Sequence, residues 1–94
     1  MLDLEKNKQG GQDIHTLFVL INCIDEKVKT TIEELRRIEH VVEIKQIDGP
    51  YDIITTIQST TNDELKKTLD KIRQMRTVRH TLTLRSSHDD GVLG

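Results

Sequence analysis

Aromatic side chains are almost missing: Phe18 and Tyr51 are the two in 94 residues, and there is no tryptophan. Without interleaved aromatics the chain has no stacking platform for unpaired bases. A dominant charge is missing too. The 14 basic and 16 acidic residues leave a net charge of −2, which excludes both a strongly basic nucleic-acid binder and an acidic tail protein. No run of about 18 apolar residues occurs, so no transmembrane helix is expected. Residues 1–12 are polar and glycine-containing, with nothing like the apolar core of a secretory signal. A single cysteine, Cys23, cannot pair within the chain. These absences point to a reducing, cytoplasmic setting with no membrane partner.

A chain of 94 residues makes one domain. Its apolar content is almost all Ile, Leu and Val. Residues 1–13 have little to bury and read as a flexible arm, and residues 86–94 as a flexible tail. The domain is expected over residues 14–85.

Residues 15–24 form a β-rich run that is apolar on both faces, the mark of a central strand. Asp25 or Glu26 is expected to start a helix, because Val28, Ile32, Leu35 and Ile38 then recur at helical spacing. Residues 41–48 read as a second, more polar strand near an edge. Gly49-Pro50 breaks it, since proline fixes φ and has no donor. Residues 51–58 read as a third strand. Thr61 with Glu64 three positions on is a capping box ahead of a second helix. Leu65, Leu69, Ile72 and Met75 are that helix's apolar stripe. Residues 78–85 alternate as a fourth strand.

The two halves repeat. Val28, Ile32, Leu35, Ile38 and Val41 fall on Leu65, Leu69, Ile72, Met75 and Val78 at a constant offset of 37, and Arg36 falls on Arg73. The expected fold is therefore α+β, a ferredoxin-like βαββαβ chain. Its four-stranded antiparallel sheet carries both helices on one face. The other face has nothing to cover it, yet Phe18, Leu20 and Ile54 fall opposite Leu17, Val19, Ile21, Ile53 and Ile57. An exposed apolar sheet of that kind marks an interface, so a homodimer through the sheet is expected.

Chemistry is harder to find. His15, Cys23, His40, His80 and His88 pair at no ligand spacing, so nothing points to a metal or to any other cofactor. Cys23 ends an apolar strand, where an inert thiol is the default. Ser59, Ser86 and Ser87 lack a nucleophile-elbow context. Asp25-Glu26 and Asp63-Glu64 fall at expected helix starts, where they complement the helix dipole, and Glu33-Glu34 on a solvated helix face. No catalytic constellation is present, and no enzyme is expected. Arg36, Arg37, Arg73, Arg76, Arg79 and Arg85 give a basic bias near the helix C-termini, a placement that offsets the dipole.

The stretch Asp48-Gly49-Pro50-Tyr51-Asp52 stands apart. It suits an ordinary turn. It also holds the chain's one tyrosine, an aspartate where β-propensity disfavours it, and a glycine that lets a ligand reach the backbone. A carboxylate that can meet an ammonium and backbone N–H groups that can meet a carboxylate suit a zwitterion. Thr81 and Thr83 share one face of the fourth strand and add neutral hydroxyls.

Leu17-Phe18-Val19-Leu20-Ile21-Asn22-Cys23, Gly49-Pro50-Tyr51-Asp52-Ile53 and Val78-Arg79-His80-Thr81-Leu82-Thr83-Leu84 together resemble the effector-binding RAM domain of the Lrp/AsnC, or feast/famine, transcription regulators. The resemblance spans residues 15–85. It implies the ferredoxin-like fold, dimers through the sheet, often four dimers in an octameric ring, and a free amino acid bound where dimers meet. The family's pocket maps onto Gly49, Tyr51, Asp52, Thr81 and Thr83. The family's usual helix-turn-helix has no counterpart in residues 1–14. The resemblance therefore implies a stand-alone module that does not contact nucleic acid directly and acts with itself or with full-length Lrp/AsnC regulators. Two further departures concern joints. Glu39-His40 and Arg76-Thr77 stand where many members carry a Pro-Gly type turn, and Asp25-Glu26 where a glycine is common. A small dimeric α+β barrel enzyme and a ligand-free assembly module are the alternatives.

Overall fold

The computed structural model describes residues 13–85. The arm and tail expected at the two ends lie outside the described residues, apart from Asp13. The elements follow the order β1 (His15–Cys23), α1 (Val28–Leu35), β2 (Val41–Gln46), β3 (Ile53–Ser59), α2 (Asn62–Arg73) and β4 (Val78–Arg85). The strands form one antiparallel sheet in the order β2-β3-β1-β4, the ferredoxin-like arrangement.

The alternation in β1 sets the two faces. Leu17, Val19, Ile21 and Cys23 are buried, and the first three pair with Ile57, Thr55 and Ile53 of β3, which are buried as well. Leu35 of α1 and Leu65, Leu69 and Ile72 of α2 close over this side. Burying each such side chain contributes about 1.5–3 kcal/mol. The opposite side carries Phe18 and Leu20, half-buried, beside Leu82 and Leu84, 44 % and 49 % exposed. No described helix covers it.

Both edge strands are irregular. An extra residue, Val42, shifts the β2–β3 register between Val41 and Glu43. Arg79 does the same in β4, where Asn22 faces His80 and Cys23 faces Val78. A polar side chain tends each irregularity. The Thr55 hydroxyl donates to the Glu43 carbonyl at 2.7 Å, and the Asp52 carboxylate accepts the Cys23 amide at 2.7 Å.

The helices start differently. Thr61 caps α2, its hydroxyl accepting the Glu64 amide at 3.1 Å, with Asp63 and Glu64 in the first turn. The return half of the capping box is not made; the Glu64 carboxylate instead meets His40 Nε2 at 3.3 Å. The expectation that α1 starts at Asp25 or Glu26 is corrected: it starts at Val28, with Lys27 as an N-cap that makes no side-chain bond. At the offset of 37 the position of Thr61 is taken by Ile24, which has no oxygen to offer. Residues 25–27 therefore turn instead of coiling, with Glu26 at φ 63°.

The second and third strands are also shorter at the turn than the sequence pattern implies. β2 stops at Gln46 and β3 begins at Ile53, because residues 47–52 are tied into a closed loop.

Candidate functional site

The loop between β2 and β3 is built from the backbone outward. Its base is closed by the Ile47 amide donating to the Asp52 carbonyl at 2.8 Å. Gly49 has φ +120°, a region that L side chains rarely adopt. A Cβ there would meet nothing, so glycine is required by the backbone and not by space. Pro50 follows with its φ fixed.

The loop is clamped to the end of β1. The Asp52 amide donates to the Ile21 carbonyl at 2.8 Å. Asn22 Nδ2 donates to the Pro50 carbonyl at 2.9 Å and reaches Asp52 Oδ2 at 3.5 Å. The same Oδ2 accepts the Cys23 amide. This explains an aspartate at the head of a strand: its carboxylate satisfies the backbone where the β1–β4 ladder shifts. Gly49 and Pro50 are exposed, while Tyr51 and Asp52 are half-buried.

Behind the clamp lies a buried polar cluster. Cys23 Sγ donates to the Thr31 hydroxyl at 3.4 Å. Thr31 also bonds the Lys27 carbonyl at 2.7 Å and the Thr77 hydroxyl at 2.7 Å. Burial pushes the Cys23 thiol above its ordinary pKa; the Thr31 bond opposes this and the nearby Asp52 charge adds to it. The thiol is thus protonated at neutral pH and a poor nucleophile.

The five residues singled out from sequence fall into two groups. Gly49, Tyr51 and Asp52 share the loop. Thr81 and Thr83 project from the helix-facing side of β4, opposite buried Ile21 and Val19. The register puts three residues along the strands and two strand spacings between Asp52 and Thr83, about 14 Å. A single chain does not bring Asp52 and Thr83 onto one small ligand; Thr81, opposite Ile21, stands nearer, about 10 Å from Asp52. The Thr81 hydroxyl accepts Arg73 Nε at 3.3 Å. The Thr83 hydroxyl oxygen is buried and has no hydrogen-bond partner among the described residues. A buried hydroxyl left so costs about 1–3 kcal/mol.

Asn22, Thr31 and Thr77 were not anticipated. Asn22 carried a visible signal, a polar residue closing an apolar run. Thr31 and Thr77 carry none, because a threonine buried in a helix or half-buried in a joint looks like a solvated one in sequence. Among the described residues no group of three or more His, Cys, Asp or Glu could hold a metal ion, and no helix is long and apolar enough to cross a membrane.

Residues 16–88 match a family model described as the Lrp/AsnC ligand binding domain. Homocitrate synthases of Saccharolobus islandicus and Saccharolobus solfataricus are 36 % identical over 67 residues, 69 % of this chain. The chain spans only 14 % of the length of those relatives. Among solved structures, FFRP-DM1 superposes with a TM-score of 0.74 at 27 % identity, over 77 % of this chain and 97 % of that one. Escherichia coli AsnC superposes with a TM-score of 0.73 at 22 % identity, over 93 % of this chain and 58 % of its own. A transcriptional regulator of Neisseria meningitidis, solved as a complex with L-Met, gives 0.66 at 12 % identity over 77 % and 49 %. The last two speak to the fold alone. The fold and the match over residues 16–88 agree: the chain belongs to the Lrp/AsnC ligand binding domain family.

Proposed function

We propose that the chain senses a free amino acid and assembles through its sheet, modulating transcription by changing how regulators of its own family assemble. The observation that carries this reading is the match of residues 16–88 to the ligand-binding domain of such regulators. The uncovered face of Phe18, Leu20, Leu82 and Leu84 supports a dimer, because apolar surface of that kind is normally covered by a partner. The loop at Gly49, Tyr51 and Asp52 and the hydroxyls of Thr81 and Thr83 are the proposed ligand contacts. Since one chain holds Asp52 and Thr83 about 14 Å apart, the loop of one copy would complete the pocket of another, as in an octamer of four dimers. The effector then shifts assembly because it binds the joined state better than the separate one. No chemistry is assigned to the chain itself.

A second reading is favoured by the homocitrate synthase match. The same sensing module would then act on an enzyme and not on transcription. A small α+β barrel enzyme shares the fold, but fold does not fix function.

The test is a melting scan of the full chain with each of the twenty amino acids at millimolar concentration, beside light scattering for mass. A ligand at about 100 times its Kd adds about 2.7 kcal/mol, a shift of about 10 °C or more in a domain this size. A shift with one chemically related group, together with a change of mass, is expected. No shift with any of the twenty leaves the assembly module alone and overturns the sensor.

A further inference from the structure

Asp48 and Gly49 lie in the β2–β3 loop, and both are exposed. Among the described residues Asp48 is the one aspartate followed by glycine. Asp13 and Asp52 precede isoleucines, Asp25 and Asp63 precede glutamates, and Asp70 precedes a lysine. The side-chain carboxyl of an aspartate can close a five-membered ring with the amide nitrogen of the next residue. A side chain on that next residue shields the nitrogen, and glycine has none.

The fold leaves this nitrogen open. The Gly49 amide makes no hydrogen bond among the described residues, and nothing stands within 4 Å of the place a Cβ on Gly49 would take. Amides at comparable positions are held. The Glu64 amide, after Asp63, donates to the Thr61 hydroxyl at 3.1 Å, and the Cys23 amide, after Asn22, donates to Asp52 at 2.7 Å. An amide in such a bond must first be released by a local opening, and the reaction slows in proportion to that cost. Gly49 needs no such step. The chain on either side of it is anchored: the Ile47 amide closes on the Asp52 carbonyl at 2.8 Å, and Asn22 Nδ2 holds the Pro50 carbonyl at 2.9 Å.

We propose that Asp48-Gly49 is a self-modification site, where the backbone isomerises through a cyclic imide. The Gly49 nitrogen attacks Cγ of the Asp48 carboxylic acid. The N–Cγ bond forms, the Cγ–OH bond breaks, and the hydroxyl leaves as water with the amide proton. Water then adds to one of the two imide carbonyls. Opening at Cγ restores aspartate; opening at the α-carbonyl leaves Gly49 joined through Cγ, as isoaspartate. The water lost is the water regained, so the mass is unchanged and nothing is oxidised or reduced. The main chain gains one methylene carbon, about 1.5 Å of path, between the anchored Ile47 and Pro50. The closed loop has no slack for it, so Pro50 leaves Asn22 and the neighbouring Tyr51 moves. The chemistry does not rest on the sensor reading; it gives the same loop a second, covalent state.

The test is incubation of the full chain at neutral pH, folded and in guanidinium chloride, followed by tryptic digestion. Cleavage after Lys45, Lys66 and Arg85 puts Asp48 in peptide 46–66 and the other Asp-Gly pair of the sequence, Asp90-Gly91, in peptide 86–94. Isoaspartate in each is read by chromatography and by methyl transfer from S-adenosylmethionine with an isoaspartyl methyltransferase. Peptide 46–66 of the folded chain is expected to gain isoaspartate within about tenfold of the unfolded rate, since an unbonded amide needs no opening. Asp48→Glu, which needs a larger ring, should gain none there, and Asp48→Asn should react faster with release of ammonia. With one tyrosine and no tryptophan in the chain, ultraviolet emission reports Tyr51. The isomerised chain, once separated, should differ from the parent in that emission and keep its far-ultraviolet spectrum. A folded rate below about a tenth of the unfolded one overturns the proposal, because the fold then protects the site. Isoaspartate that persists in peptide 46–66 of Asp48→Glu overturns it too, by placing the reaction at another residue. Unchanged Tyr51 emission overturns the second state of the loop. A chain that binds no amino acid leaves each of these results standing.

Discussion

Glu26 and His40 hold positive φ, 63° and 78°, which glycine adopts freely and other residues adopt at a cost of about 1–3 kcal/mol. Both fall at joints where the family resemblance leads one to look for glycine. The backbone keeps its path, and the side chains bear the strain. Glu26→Gly should therefore stabilise the chain by about 0.5–1 kcal/mol after the entropic cost of glycine, measured by urea unfolding. Asp52 is legible in the sequence as special, and the fold gives its carboxylate a structural partner as well. Read alone it offers a carboxylate to an ammonium; in the fold one of its oxygens already accepts the Cys23 amide. Asp52→Ala should cost about 1–3 kcal/mol of stability by orphaning that amide, visible as a lower urea midpoint with no ligand present. Cys23 makes a pH prediction. Its folded pKa is raised, so the folded thiol stays neutral where the unfolded one ionises. Stability from this source is fully present below the ordinary value of 9.0 and declines as pH rises from there towards the higher folded pKa. A denaturation series from pH 7 to 10.5, compared with Cys23→Ala, should show the extra decline in the parent only.

At the scale of elements, the offset of 37 explains both what the sequence made plain and what it hid. The apolar stripes of the two helices were legible because spacing is repeated, and the joints agree after the fact. Ile38 bonds Leu35 and Val41 bonds Ile38, just as Met75 bonds Ile72 and Val78 bonds Met75. The start of α1 was not legible. Asp25 and Glu26 look like a first turn, yet the cap that α2 owes to Thr61 is missing where Ile24 stands, and α1 opens at Lys27 without one. A periodic stripe says which face a helix buries; it does not say where the first turn finds its hydrogen bonds. Thr61→Ala should cost about 1 kcal/mol and bring α2 closer to the uncapped state of α1, measured by thermal melting and helical ellipticity.

For the whole molecule, the ferredoxin-like arrangement follows from the βαββαβ succession and the repeat, and the two apolar faces of β1 from its unbroken apolar run. The alternation in β4 was seen, but its face was not. One extra residue, Arg79, puts Val78 on the helix side while Leu82 and Leu84 face outward. Registers that slip by one residue are invisible in a sequence and decide which surface is sticky. Leu84→Asp should reduce the mass seen by light scattering to that of one chain, with the far-ultraviolet spectrum unchanged; a parent-like mass would place the contact elsewhere.

The two irregular strands, β2 and β4, are also the two borders of the sheet. Each border thus carries a kink, and each carries charge: Glu43 and Lys45 on one, Arg79 and Arg85 on the other. Kinked, charged borders resist the endless side-by-side addition of strands that leads to fibrils. With both borders guarded, the apolar face of Phe18, Leu20, Leu82 and Leu84 can be covered without the sheet being extended strand by strand.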